Sequence, residues 1–185
     1  VRILDLTSAG ENVFSRVTKL LISSFTHGWD TLEEAIAEVN ESLEPGRLSR
    51  VAVDDAGDVL GWIGGIPSYG GNVWELHPLV VDENHRRQGI GRALVADLEE
   101  RVRERGGVTV WLGSDDEDDA TSLAGVDLYP NPLEHALRIS NRRNHPFEFY
   151  QKCGYVIVGV LPDANGFGKP DIFLAKRVGK GMVAR

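Results

Sequence analysis

The chain has 185 residues, 42% of them apolar and 26% charged, the profile of one globular α/β-sized domain with a real core. No apolar run approaches the roughly 18 residues that a membrane span needs, and the start of the chain lacks the basic and apolar blocks of a secretion signal. With 20 basic and 28 acidic residues the net charge is −8, which argues against non-specific nucleic-acid binding and is compatible with cationic partners.

In chain order, VRILDL at 1–6 is a strand pattern, and residues 13–25 carry helical apolar spacing. A second helix covers 30–43. Asp30 is its expected N-cap with Glu33 three residues on, and Leu32, Ala35, Ile36, Val39 and Leu43 fall on one face. Pro45-Gly46 ends it. Strands at 48–55 and 58–67 flank Ala56-Gly57, a hairpin signal, and a third strand at 73–82 follows Gly70-Gly71. A helix at 89–105, with Ala93, Leu94, Leu98 and Val102 as its apolar positions, stops at Gly106-Gly107. A strand at 108–114, helices at 132–142 and 146–153, and strands at 155–161 and 171–178 complete the chain. The single cysteine, Cys153, excludes an internal disulfide, no Cys/His cluster has zinc spacing, and a cytoplasmic location is the expectation. It reads as a helix residue near the core. The whole is one α/β domain, 1–185, with hairpins early and a strand–helix–strand crossover in the middle.

The segment WELHPLVVDENHRRQGIGRAL, 74–94, carries the most chemistry. Pro78 has no amide hydrogen, so it cannot complete a central ladder, and a bulge or a splaying of strands should result. Backbone at Leu79, Val80 and Val81 then becomes available to an extended, amide-bearing ligand, as in strand addition. Downstream, Arg86, Arg87, Gln88, Gly89, Ile90, Gly91 and Arg92 combine positive charge with glycines at a helix start, where successive amides can cradle a diphosphate. The spacing matches neither the dinucleotide fingerprint nor a P-loop, and an ordinary glycine N-cap is the bland alternative. An arm of amides ending in a diphosphate describes acyl coenzyme A. Opposite in sign, DDEDD at 115–119 is the densest acidic run.

These residues carry a resemblance. RRQGIG after an interrupted strand, with FYQKCGY at 149–155, resembles the GCN5-related N-acetyltransferases. GWIGGIPSYG, WELHPLVV, GSDDEDD, HPFEFYQKCGY and VGVLPDANGFGKPDIFLAK are similar to the aminoglycoside 6′-N-acetyltransferases of the enterococcal chromosomal branch. The similarity is dense over about 60–177 and thin before 48.

The resemblance implies a mixed, mostly antiparallel sheet with splayed central strands and flanking helices. It also implies acetyl-CoA as cofactor, with no metal, and a small cationic amine as acceptor. Pantetheine would pair with Leu79 and Val81, and the diphosphate would sit on the amides of 87–92. Glu75 is the first candidate base, because an amine of pKa about 7.7–10.4 must lose a proton to attack; Asp115 is the second. The Leu79 amide would steady the oxyanion on the thioester carbonyl. Tyr150 is the implied general acid toward the leaving thiolate and contacts the cofactor. His77 is a positioning group or a structural hydrogen-bond partner. Glu75, Asp115, Asp116, Asp118, Trp29 and Tyr69 would meet the acceptor. A homodimer is implied as well.

The sequence departs from the family at SFTHGWDTLEE, which has Trp29 but lacks the usual Trp-Pro pair on the acceptor side. Transfer to another cationic amine, such as a polyamine or peptide amine, is therefore a second reading. A non-catalytic coenzyme A sensor is a third, against which the retained Glu75, Asp115 and Tyr150 speak.

Overall fold

The computed structural model describes residues 1–24, 28, 29 and 31–180. They form two compact units: Val1–Val110 with the chain from Val178, and Trp111–Arg177. In the first unit, β1 (Arg2–Asp5), α1 (Glu11–Ser24) and α2 (Leu32–Ser42) precede β2 (Leu48–Val53), β3 (Val59–Ser68) and β4 (Val73–Val81), then α3 (Ile90–Glu104). The strands lie in the order β1-β2-β3-β4, each antiparallel to the next. β5 (Thr109–Asp115) starts beside the head of β4, where the amides of Val108 and Thr109 donate to the Asn72 carbonyl at 2.8 and 3.2 Å. The architecture is mixed, although mostly antiparallel. The second unit holds α4 (Pro132–Leu137), α5 (Phe147–Lys152) and the antiparallel pair β6 (Val156–Leu161) and β7 (Asp171–Arg177), in the order β5-β7-β6.

Local chemistry accounts for the elements. α2 starts one residue later than its sequence pattern implies: Thr31 is the N-cap and forms a capping box with Glu34, with reciprocal bonds of 3.2 and 3.0 Å. Asp30 and Phe25 lie outside the described residues. Of the expected face of α2, Ala35 and Val39 are buried and Leu43 packs beside them, whereas Leu32 and Ile36 are exposed. The β2–β3 turn is held by the Asp54 carboxylate, which accepts from the amides of Ala56 and Asp58 at 2.9 and 2.8 Å. On α3 the buried stripe is Ile90, Leu94, Val95, Leu98, Glu99 and Val102, and Ala93 faces solvent instead. The helix expected at 132–142 ends at Leu137. The chain beyond it pairs with residues 120–122: Ser122 donates to the Ser140 carbonyl at 2.9 Å, and Arg142 and Arg143 both donate to that of Ala120. These non-local bonds satisfy the backbone that a longer helix would otherwise satisfy.

Pro78 does not end β4. Ile63 faces Leu79 and Gly65 faces Leu76, so His77 and Pro78 together oppose the single residue Gly64. This is a β-bulge, and it inverts the alternation of faces. A Cβ on Gly65 would point at Leu98 and the Trp74 ring, which places Trp74 and Leu76 on the α3 face and Glu75 and His77 on the other. Past the bulge, Val80 joins Trp62 in the core built with Val17, Leu20 and Leu21 of α1 and Ala35 and Val39 of α2. Val80 thus shares a face with Glu75 and His77, although odd spacings separate it from both.

Gly64 makes the bulge possible: a Cβ there would lie 2.2 Å from the His77 carbonyl oxygen. Gly64→Ala is expected to destabilise the protein by about 1–3 kcal/mol through overpacking against backbone that cannot swing aside. Urea unfolding measures it, and a midpoint equal to wild type would contradict the assignment.

Candidate active site

In the first unit the candidate residues are carried by β4, the turn after it and the start of α3. Asp82 donates its amide to the Leu60 carbonyl at 2.9 Å. Since N–H directions alternate along a strand, the Val80 amide also points to β3, and those of Leu79 and Val81 point to the opposite edge. A thioester carrier's amide arm needs donors of this kind. The Val81 carbonyl, turned the same way, accepts from Arg86 Nε at 3.2 Å, which ties the basic turn to the strand end.

Asp82 stiffens that turn. Its carboxylate accepts from the Asn84 amide at 3.0 Å and lies 2.8 Å from His85 Nδ1. The hydrogen bond from His85 holds the Asp82 carboxyl below its ordinary range. Gln88 Nε2 donates to the Asn84 carbonyl at 3.2 Å. Arg87 and Gly89 both adopt left-handed backbone, φ 62° and 87°, which turns the chain into α3. Gly89 is the N-cap and has no side chain to offer the helix; Ala93 makes the first intrahelical bond back to it at 2.9 Å. The amides of Ile90, Gly91 and Arg92 therefore have no acceptor within the helix. Arg86, Arg87 and Arg92 are exposed around them, whereas the Ile90 side chain is buried under β3 and offers only its amide. This is an anion cradle with local positive charge, and it fits a diphosphate.

Glu75 and His77 stand on the α1/α2 face of β4. Among the described residues the Glu75 carboxylate makes no hydrogen bond or ion pair. Near the His77 ring lie the Trp29 ring at 5.8 Å, tilted by 45°, and the Glu38 carboxylate, with Nε2 and Oε1 3.9 Å apart. Trp29 is half-buried against the core, so one of its faces is structural. Tyr69 is 81% exposed at φ 48°, in the turn between β3 and β4.

The second unit carries the acidic run and Tyr150. The five carboxylates have separate fates. Asp115, exposed at the end of β5, accepts from Asn165 Nδ2 at 2.6 Å. Asp116 is fully buried; it accepts from the Ala120 amide at 2.6 Å and from the Thr121 amide and hydroxyl at 3.0 and 2.6 Å. The expectation that Asp116 meets the acceptor is corrected accordingly: both of its oxygens are committed to folding the loop. Lys169 pairs with Asp119 at 2.9 Å and also donates to the Glu117 carbonyl, so the run is partly neutralised from within. Asp118 is exposed.

His145 and Tyr150 shape the rest. His145 is buried, its Nδ1 accepts from the Phe147 amide at 3.2 Å, and its Nε2 therefore carries the hydrogen donated to the Asp115 carbonyl at 3.0 Å. Burial pushes its pKa below the ordinary histidine value, against the opposing pull of the Asp115 carbonyl and nearby carboxylates. Tyr150 is buried on α5 between Phe149 and Tyr155, with ring centroids at 5.1 and 5.9 Å in edge-on contact. Burial, and secondarily Cys153, raises its pKa well above the free phenol, so the hydroxyl keeps its proton at any working pH. Cys153 itself caps the end of α5 and is half-buried. His145, Asn165 and Lys169 were not singled out from sequence, although each sits in a stretch that carries the family resemblance.

Residues 14–129 match the model of the acetyltransferase (GNAT) family, more than half of the chain. The chain belongs to the GNAT acetyltransferase family. It is similar over 100% of its length, and 99% of theirs, to two aminoglycoside 6′-N-acetyltransferases of known structure. One, complexed with coenzyme A, is 41% identical with a TM-score of 0.90, and the other, from Enterococcus faecium, is 40% identical with a TM-score of 0.89. An aminoglycoside 6′-acetyltransferase type Ii is 35% identical with a TM-score of 0.75 over the same shares of both chains. The likeness therefore includes the segment before residue 48, where the sequence resemblance is thin. No curated protein matches the chain.

The neutral His145 has a consequence for stability. In the unfolded chain it titrates near about pH 6.5, and in the fold it does so lower. Its contribution is complete above about pH 6.5 and is lost as pH falls toward the folded pKa, because the unfolded state then binds more protons. Urea unfolding free energy should fall between about pH 7.5 and 5.5, and His145→Gln should flatten that fall. An equally steep fall in the variant would refute the assignment.

Proposed function

We propose that this protein transfers the acetyl group of acetyl-CoA to the 6′-amino group of aminoglycoside antibiotics. The observation that carries the reading is full-length similarity, at 41 and 40% identity, to two proteins of that activity, one of them complexed with coenzyme A. The cradle at 87–92 and the outward amides of Leu79 and Val81 fit the same cofactor. A small cationic acceptor and a cytoplasmic location complete the proposal; among the described residues no helix is long and apolar enough to cross a membrane.

Bound acetyl-CoA supplies the activated acetyl thioester. The chain's own residues supply the rest. The α3 amides with Arg86, Arg87 and Arg92 hold the diphosphate, and Leu79 and Val81 hold the amide arm. Glu75 takes the proton from the attacking amine, its carboxylate being uncommitted within the described residues, whereas one Asp115 oxygen is engaged by Asn165. The Leu79 amide donates to the developing oxyanion. Asp115 and Asp118 attract the acceptor's ammonium groups, and Trp29 and Tyr69 offer ring faces to its sugars. Tyr150 acts as a hydrogen-bond donor to the leaving sulfur. Full proton transfer from it is uphill, because a phenol near 10 already holds its proton more tightly than a thiol near about 8.5, and burial widens the gap.

In an assay of thiol release, kanamycin should saturate at micromolar concentration while spermidine and a basic peptide turn over slowly; the reverse preference would establish the other-amine reading. In the same assay Glu75→Gln should lower kcat by about 10²–10⁴-fold. Tyr150→Phe should lower it by about 10–100-fold. Cofactor binding should hardly change in either variant.

The proposal includes a homodimer. The second unit leaves Val156, Val158 and Leu161 of β6 exposed, with Leu137 of α4 at 86% and Phe167 at 98% exposure, and β6 is an outer strand. A second copy is the occupant with a matching edge. Light scattering should give twice the chain mass for wild type and the single mass for Val158→Lys. A monomeric wild type would remove this part.

A further inference from the structure

We propose that Glu38 is a positioning residue for acetyl transfer: from α2 it fixes the tautomer of His77, so that the imidazole presents Nδ1 as a hydrogen-bond acceptor beside Glu75. The catalytic consequence rests on the acetyltransferase reading above.

Among the acidic residues of α2, Glu38 stands apart. Glu33, Glu34 and Glu41 are exposed, Glu34 closes the capping box, and Glu41 pairs with Arg47. The Glu38 side chain is only 16% exposed and turns toward the sheet, where its neighbour is the 44%-exposed side chain of His77. Among the described residues no Lys or Arg pairs with it. A carboxylate held out of water without a cationic partner costs stability, and its place opposite a site histidine accounts for that cost.

The geometry decides which nitrogen carries hydrogen. Glu38 Oε1 lies 3.9 Å from His77 Nε2, too long for a hydrogen bond but close enough for charge to act on the ring. An anion there attracts an N–H and repels a lone pair, so the neutral ring keeps its hydrogen on Nε2 and leaves Nδ1 bare. Trp29, 5.8 Å away and tilted by 45°, closes another side of the imidazole and restricts its rotation. Strand alternation puts His77 on the same face as Glu75, two residues earlier on the strand. The bare Nδ1 can then accept from the amine or from a water that Glu75 also serves.

Two-bond ¹H–¹⁵N spectra of the substrate-free protein, at about pH 8, test the tautomer. The His77 signals are identified by their loss in His77→Asn. We expect the Nε2–H form to dominate in wild type and in Glu38→Asp, and a mixture of tautomers in Glu38→Gln. In turnover, Glu38→Gln should lower kcat about fivefold with the acetyl-CoA KM unchanged. The same substitution in the His77→Asn background should have no further effect. An unchanged tautomer in Glu38→Gln, or additive losses in the double variant, would overturn the proposal. A Glu38-dependent tautomer in a protein that acetylates no aminoglycoside would instead overturn the acceptor assignment and leave the dyad standing.

Discussion

The candidate site of the first unit depends on one steric constraint. At residue 64 the chain has no side chain, and the space is filled by the His77 carbonyl. Two residues of β4 fit opposite one of β3, and the strand continues instead of ending at Pro78. That single extra residue causes the inversion of faces, the arrival of Glu75 and His77 on the side of α1 and α2, and the packing of Val80 beneath them. A regular strand would set Val80 and Glu75 on opposite faces, and either the core or the site would be lost.

The turn from β4 into α3 uses its residues with the same economy. Arg86 bonds back to Val81, Asp82 caps the turn and holds His85, and the chain enters α3 through two left-handed residues without a capping side chain. The first amides of α3 have no acceptor within the helix, and three exposed arginines surround them. Helix-end amides and cations lie together here: the amides are fixed in place by the fold, and the exposed guanidinium groups add positive charge around them.

The acidic run shows how far composition misleads. DDEDD looks like one anionic patch. In the fold Asp116 is an internal ligand for backbone amides, Asp119 is paired with Lys169, Asp115 is fastened by Asn165, and Asp118 is exposed. The loop after β6 supplies two of those partners from about 50 residues away, so no local pattern could distribute the roles. Tyr150 is a similar case: its motif marks it for chemistry, and the fold buries it among Phe149 and Tyr155, which raises its pKa still further above the free phenol's.

The sequence by itself determined the elements of this protein, the interrupted strand, the basic glycine turn and the cofactor class, because each depends on residues within a turn or two of one another. Strand period, helix caps, a missing amide hydrogen and glycine freedom are local physics. Only the tertiary structure decided that the bulge expected at Pro78 lies opposite Gly64, that α4 stops at Leu137, that Asp116 is buried, and that Glu38 faces His77 across 3.9 Å. Three of those outcomes depend on a residue far along the chain: Gly64 opposite the bulge, the pairing of Ser122 with Ser140, and a carboxylate on another helix; the burial of Asp116 depends on a loop folding back so that the amides of Ala120 and Thr121, four and five residues on, meet its oxygens. Contacts of that kind have no signature in composition or period, since they exist only once the elements have packed.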